Sequence, residues 1–342
     1  MSKTRLRDPD ARSLIDGFGR QITYLRLSVT DRCDLRCSYC MPERMKFLPR
    51  ADVLTLEELE RLVTAFINRG VRKVRISGGE PLVRRDIMVL MERLGDRVKS
   101  GQLEELTLTT NGVRLEQYAA QLSHAGVKRI NVSLDTIDSD IFERITGRRK
   151  LQDVLTGIRA AKDAGMSVKL NTVVLRRENA NDISDIVAWA HHEGHDLSLI
   201  EIMPMGDIDK DRVDQYYPLT DMKLLLESRW TLRAETYRTG GPSRYFRIDE
   251  TGGRIGFISP LTNNFCDGCN RVRLTCTGKL YMCLGQDDCI DFRELLRNEA
   301  PDHALDEAID RAMRAKPQRH DFTIDRRGQN PAIARTMSVT GG

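Results

Sequence analysis

Three cysteines within eight residues, Cys33, Cys37 and Cys40, form a C-x3-C-x2-C run that can offer three thiolates to one metal centre. No histidine, aspartate or further cysteine is placed beside them to complete a four-ligand site. Structural zinc sites close their coordination with protein ligands, and an ordinary iron–sulfur cluster takes four cysteines, so three ligands point to an iron reserved for another molecule. A zinc ion completed by a distant side chain is the competing reading.

A second set lies far along the chain, where Cys266, Cys269 and Cys283 form a C-x2-C-x13-C pattern with Cys276 and Cys289 close by. A zinc ribbon that takes Cys276 or Cys289 as its fourth ligand competes here. In the segment Asn270-Arg-Val-Arg-Leu274, Arg271 and Arg273 alternate and so share one strand face. Arg26, Arg75 and Lys169 each stand between apolar residues in a presumed strand. A cation on the inner face of a sheet is costly unless it is paired or holds an anion. Snorkelling, or pairing with carboxylates such as Glu80 and Glu201, would account for any one of them. Three at once favour a polyanionic substrate in the lumen. No G-x-x-x-x-G-K-[ST] loop is present, so a nucleotide would be held by arginines, lysines and backbone. The glycines of Gly78-Gly-Glu-Pro-Leu82, at a strand end, would expose backbone N–H and C=O groups to a ligand. His124, His191, His192 and His195 read as surface residues on or near helices.

These residues need a scaffold, and 342 residues suffice for one barrel-sized domain or two smaller ones. With 54 basic against 50 acidic side chains the net charge is +4, so any anion site is local and a nucleic-acid partner is not expected. Met1 to Ser13 is charged and lacks an apolar signal core, and no stretch approaches the roughly 18 apolar residues of a membrane span. The expectation is a cytoplasmic protein without membrane contact. Its cysteines would be metal ligands rather than disulfides.

From Ile22 to Pro204, β-rich runs alternate with amphipathic helical stretches. The strands expected are Ile22–Thr30, Val71–Ser77, Leu106–Thr110, Val127–Asp135, Val168–Leu175 and Leu197–Met203. Helices over Leu56–Arg69, Leu115–His124, Leu151–Ala164 and Ile183–His192 each run into a glycine suited to a left-handed cap. Parallel strands with right-handed crossovers follow. The fold class expected is α/β: an incomplete (β/α)6 TIM-type barrel with catalytic groups at the C-terminal strand ends and a C-terminal α+β extension closing the barrel mouth. The divisions expected are a lead over 1–17, the barrel over 18–205 and a C-terminal region over 206–342. Past Gly206 a polar stretch precedes a helix around Met222–Ser228 and short strands.

The cysteine loop followed by Gly-Gly-Glu-Pro resembles radical S-adenosylmethionine (SAM) enzymes. With Arg26-Leu-Ser-Val-Thr-Asp-Arg-Cys33, Cys37-Ser-Tyr-Cys-Met-Pro42, Thr109-Thr-Asn-Gly112, Asn131-Val-Ser-Leu-Asp135, the second cysteine spacing and the terminal Gly341-Gly342, the chain from about Gly17 onward resembles the GTP 3′,8-cyclase family of molybdenum cofactor biosynthesis. The resemblance implies two [4Fe–4S] clusters, one on Cys33, Cys37 and Cys40 that binds SAM, the other on Cys266, Cys269 and Cys283 that contacts the purine. It implies SAM contacts from Tyr39, Gly79, Ser133 and Met203, and GTP contacts from Arg26, Arg75, Thr109, Lys169, Arg271 and Arg273. Arg26, Arg271, Arg273, Gly341 and Gly342 would form the catalytic set. The implied reaction is hydrogen abstraction from ribose C3′ by a deoxyadenosyl radical, ring closure onto guanine C8, and reduction. A flavodoxin- or ferredoxin-type reductant, delivery of product to cyclic pyranopterin monophosphate synthase and a homodimer are also implied. Cys276 stands where the family usually has a small non-ligating residue, and is expected to be no ligand; Cys289 is expected to be a spare thiol. Two other readings are a radical SAM enzyme acting on a peptide and a zinc protein that binds nucleic acid through Arg271 and Arg273.

Overall fold

Apolar residues at helical spacing set the first helix, α1 (Leu56–Asn68), whose Leu59, Leu62, Val63 and Phe66 are fully buried. Thr55 starts it with a capping box: its hydroxyl accepts from Glu58 N at 3.2 Å, and its own N–H donates to Glu58 Oε2 at 2.6 Å. The computed structural model describes residues 13–42, 44–206, 208, 212–324 and 333–341. The same logic, an apolar face buried against a sheet, repeats along the chain.

The strands are β1 (Tyr24–Ser28), β2 (Lys73–Ser77), β3 (Glu105–Thr110), β4 (Arg129–Ser133), β5 (Ser167–Val174) and β6 (Asp196–Glu201). Helices α1, α2 (Ile87–Lys99), α3 (Leu115–His124), α4 (Ser139–Thr146), α5 (Leu151–Asp163) and α6 (Ile183–His192) fill the crossovers. At Gly126 and Gly165 the chain turns from helix to strand with φ of +89° and +83°, which a side chain would resist. The C-terminal part adds α7 (Arg212–Gln215), α8 (Leu219–Glu227), β7 (Leu232–Ala234), β8 (Arg244–Ile248) and β9 (Arg254–Ile258). It continues through β10 (Arg271–Leu274), β11 (Lys279–Tyr281), β12 (Cys289–Asp291), α9 (Arg293–Arg297), α10 (Asp302–Ala315) and α11 (Met337–Thr340).

One sheet of 12 strands runs β12-β11-β10-β1-β2-β3-β4-β5-β6-β9-β8-β7. The six strands read from the alternation are parallel, and the C-terminal part lengthens that parallel run at both ends. Strand β10 pairs parallel with β1 and β9 parallel with β6. Neither could be counted from the alternation, because no βα unit precedes them. No helix among the described residues is long and apolar enough to cross a membrane.

Two of the histidines correct the sequence expectation. His191 and His195 are buried, while His124 and His192 are exposed. The His191 ring sits between Thr251 Oγ1 at 2.7 Å and Arg254 O at 3.1 Å, and His195 lies against Trp189 with ring centroids 6.3 Å apart. Strand β9 covers this face of α6, and its approach is not visible from the helix alone.

Glu201, fully buried at the end of β6, ties the two parts together. One carboxylate accepts from Leu219 N at 3.2 Å, Leu261 N at 2.9 Å, Thr262 N at 3.2 Å and Thr262 Oγ1 at 2.5 Å. Glu201→Ala would strand these buried donors, and the expected loss is about 3 kcal/mol of unfolding free energy, read by urea denaturation.

Candidate active site

Strand β1 ends at Ser28, and the next residues are drawn over β2 by Val29 N donating to Ser77 O at 2.9 Å. The backbone N–H groups of Gly79 and Glu80 then donate to Thr30 O at 2.8 Å and Arg32 O at 2.7 Å. A Cβ on Gly79 would stand 2.3 Å from Arg32 O. These glycines serve a close backbone crossing, in which the Gly79 N–H is already taken by Thr30 O. The crossing fixes the cysteine loop against the strand end, where Cys37 O accepts from Cys40 N at 2.9 Å to turn the loop back.

All eight cysteines are free. Burial pushes the Cys33 thiol up to about 12, with the Glu80 charge adding to it. Burial pushes Cys37 well above its ordinary value, reinforced by Cys40 and Asp135. Cys33, Cys37 and Cys40 are neighbouring soft sulfur donors that become thiolates when a positively charged centre binds them, so this donor set fits an iron–sulfur group. A cavity of about 170 Å³ opens beside them. Its walls include Tyr39, Gly79, Ser133 and Met203, together with Thr109, Asn171 and Ile202.

Two buried carboxylates lie behind this wall, Glu80, considered in the sequence only as a partner for the strand cations, and Asp135, which the sequence did not single out. Glu80 accepts from Thr110 Oγ1 at 2.8 Å, Leu82 N at 2.9 Å and Asn111 N at 2.7 Å, and burial still raises its carboxyl to about 7. Asp135 accepts from Tyr39 Oη at 2.8 Å and Val173 N at 2.8 Å, and burial raises it to about 6. The Tyr39 hydroxyl is thus engaged by the protein, and its ring is what remains for the cavity. Asn111 Nδ2 lies 3.6 Å from Cys33 Sγ. Both carboxylates stood within segments quoted for other residues, and only the fold shows that each is tied to a side chain of the cavity wall, Glu80 to Thr110 and Asp135 to Tyr39.

The cations gather elsewhere on the sheet. In register, Arg26 of β1 stands opposite Arg75 of β2 on one side and Arg273 of β10 on the other. Arg271 stands opposite Tyr24, and Lys73 faces Tyr24 from the other strand. Burial lowers Arg26 to about 10 and Arg273 well below its usual value, helped by their neighbouring guanidinium groups. Burial alone would raise the Tyr24 phenol, yet Arg75, Arg26 and Lys73 outweigh it and the net shift is downward. Lys169 Nζ donates to Tyr245 Oη at 2.6 Å. The carboxylates suggested as partners are engaged otherwise, Glu80 and Glu201 by backbone and hydroxyl donors. Lys73 and Arg129 do find a carboxylate, Glu105, each at 2.6 Å. Arg75 Nε, Tyr24 Oη, Thr109 Oγ1 and Asn171 Oδ1 are buried without a hydrogen-bond partner among the described residues. Orphaned polar atoms spread over β1, β2, β3 and β5 of one sheet fit a ligand surface.

The C-terminus reaches this row. Arg273 Nη1 donates to Gly341 O at 2.5 Å, and a Cβ on Gly341 would lie 2.0 Å from Ser77 Oγ. With φ at +76°, that position suits glycine alone. Gly342 lies outside the described residues.

The second cysteine set begins with Cys269 N donating to Cys266 O at 3.0 Å. Burial pushes Cys269 up, but Arg271 and Lys316 outweigh it and the thiol ends lower than usual. Cys283 is raised by burial, with Cys269 and Cys266 close enough to add to it. Cys276 is fully buried elsewhere, beside Asp31 and Arg84, and burial takes it to about 12. Cys289 pairs across strands with Tyr281. Among the described residues no three His, Cys, Asp or Glu side chains converge on one point, as a single tetrahedral ion requires.

A parallel sheet with cysteine-bearing loops beyond its strand ends defines the class. Residues 27–190 match the radical SAM superfamily, and residues 195–322 match the Molybdenum Cofactor Synthesis C family. The chain is 59% identical to GTP 3′,8-cyclase of Erythrobacter litoralis over 97% of its own length and 99% of that protein's. It is 56% identical to GTP 3′,8-cyclase of Sinorhizobium medicae, covering 100% of this chain and 98% of the relative. It therefore belongs to the GTP 3′,8-cyclase family. Among solved structures, Streptococcus suis SuiB bound to S-adenosylmethionine superposes with a TM-score of 0.58 at 16% identity, over 82% of this chain and 64% of SuiB, a likeness of fold.

The Glu80 carboxyl sets a pH dependence. Its proton is held more tightly in the fold, at about 7 against an ordinary 4.5, so its contribution is complete below 4.5 and lost as pH rises through 7. In the iron-free protein, urea unfolding should lose about 3 kcal/mol from this group across that interval. Glu80→Gln should remove that part of the slope.

Proposed function

We infer that this protein cyclises GTP to (8S)-3′,8-cyclo-7,8-dihydroguanosine 5′-triphosphate, the first step of molybdenum cofactor biosynthesis. The observation that supports the reading is the registered row Arg273, Arg26 and Arg75, three guanidinium groups side by side on adjacent strands, which suits a triphosphate.

In this reading Cys33, Cys37 and Cys40 hold one [4Fe–4S] cluster, and Cys266, Cys269 and Cys283 hold the other. When bound to the first cluster, SAM supplies a 5′-deoxyadenosyl radical on one-electron reduction. Tyr39, Gly79, Ser133 and Met203 hold SAM in the cavity beside the loop. The Tyr39 ring is kept in place by Asp135, which fixes its hydroxyl. Arg26, Arg75, Lys169, Arg271 and Arg273 neutralise and orient the triphosphate nucleotide, and Thr109 stands where the two sets meet. Arg26, Arg271, Arg273 and the Gly341-Gly342 tail form the catalytic set, supported for Gly341 by its carbonyl on Arg273. The protein's contribution is largely to hold two reactants in one orientation and away from water.

The parallel run curls, in this reading, as an incomplete (β/α)6 barrel whose mouth is covered by the C-terminal part. The divisions 1–17, 18–205 and 206–342 follow as lead, barrel and cover. A flavodoxin- or ferredoxin-type reductant, hand-over to cyclic pyranopterin monophosphate synthase, a homodimer and a cytoplasmic location complete the proposal.

Anaerobic turnover with GTP, SAM and reductant should release 5′-deoxyadenosine. Deuterium at ribose C3′ should appear in that nucleoside, and its absence would defeat the reading. Arg273→Ala should lower kcat/KM for GTP by about 100-fold, as loss of a buried charge contact does. Cys276→Ala should retain about eight irons per chain, whereas Cys283→Ala should lose about half of them. Equal iron loss in both would make Cys276 a ligand.

A further inference from the structure

Around the second cysteine set, each of the three residues meets a cation from a different part of the chain. Arg20 Nη1 donates to Cys266 O at 2.8 Å, Lys316 Nζ stands 3.7 Å from Cys269 Sγ, and Arg335 Nη2 donates to Cys283 O at 3.3 Å. Arg20 and Arg335 reach only carbonyl oxygens here, and both also pair with carboxylates, Asp16 at 2.6 Å for Arg20 and Asp287 for Arg335. Lys316 differs on both counts. It points at a sulfur, and no carboxylate pairs with it among the described residues.

Lys316 is only 2% exposed, and its ammonium makes one strong hydrogen bond, to Met282 O at 2.6 Å. A buried ammonium without a counter-ion is expensive, so the charge needs a negative partner in the functional state. Met282 precedes Cys283, so one ammonium staples the Cys266–Cys269 turn to the strand-end limb that carries the third thiol. Its position is fixed from both sides. Lys316 follows directly on α10 with its N–H donating to Met313 O at 3.3 Å, and Arg20 clamps the next two carbonyls, Pro317 O at 2.6 Å and Gln318 O at 2.7 Å. Helix α10 is anchored by Leu305, Ala308, Ile309, Ala312 and Met313, all buried. Nothing in this arrangement lets the ammonium retreat to solvent.

We propose that Lys316 is a positioning residue that sets the reduction potential of the second cluster, by holding a buried positive charge against the Cys269 sulfur. The inference rests on the two-cluster reading above. A cluster gains negative charge on reduction, and a cation beside a ligand sulfur stabilises the reduced form more than the oxidised one. The neighbouring charge should therefore raise the potential of this cluster and leave the one at Cys33, Cys37 and Cys40 untouched.

EPR-monitored redox titration of the anaerobically reconstituted protein, with iron counted in the same samples, tests this. Lys316→Gln should keep about eight irons per chain, shift the second cluster to a more negative potential and leave the first unchanged, while Lys316→Arg should retain the parent value. Iron loss from the second site in Lys316→Gln but not in Lys316→Arg would also support the proposal, because the charge would then be what retains the group. Full iron content with an unchanged second potential would overturn it, as would equal iron loss in both variants. An unsubstituted protein that holds only one cluster would instead defeat the two-cluster reading.

Discussion

Guanidinium groups standing side by side on adjacent strands, inside the protein, are the constraint on which the rest depends. Like charges directly opposite one another on a sheet destabilise it, and burial multiplies that cost. Arg273, Arg26 and Arg75 occupy such positions. The fold brings Glu105 to Lys73 and Arg129 one register step away, so neutralisation was available to the architecture nearby. A row of this kind suits a polyanionic ligand, as the proposed function requires.

The C-terminal part of the chain makes this row possible. Strand β10 supplies Arg271 and Arg273 by adding to the edge of β1, and the same strand follows directly on the Cys266 and Cys269 turn. A single backbone segment thus ties the cation row to the second thiol set. At the other edge, Glu201 binds the backbone of the connecting segments to β6. The tail then returns to β2, where Gly341 fits against Ser77 only because it has no side chain.

On the cysteine-loop side, the controlling quantity is burial. It holds Cys33 and Cys37 as thiols and keeps Glu80 and Asp135 poised well above ordinary carboxylates. A metal group bound by these sulfurs must displace their protons, so its binding releases protons and strengthens as pH rises. Tyr39 illustrates how the wall is stiffened: its phenol is tied to Asp135, itself tied to Val173 on the next strand, so the ring beside the cavity has little freedom.

The sequence by itself determined the local units. Hydrophobic periodicity and glycine caps placed β1 to β6 and helices such as α3 and α6 to within a few residues, because those signals are carried by neighbours in the chain. Cysteine spacing marked both thiol sets for the same reason. The burial of His191, the backbone crossing at Gly79, the carboxylates Glu80 and Asp135, the two added parallel strands and the ammonium of Lys316 were decided only by tertiary structure. Each depends on a partner dozens to hundreds of residues away, brought near by strand pairing, and no local pattern records which side chains a sheet will set in one register.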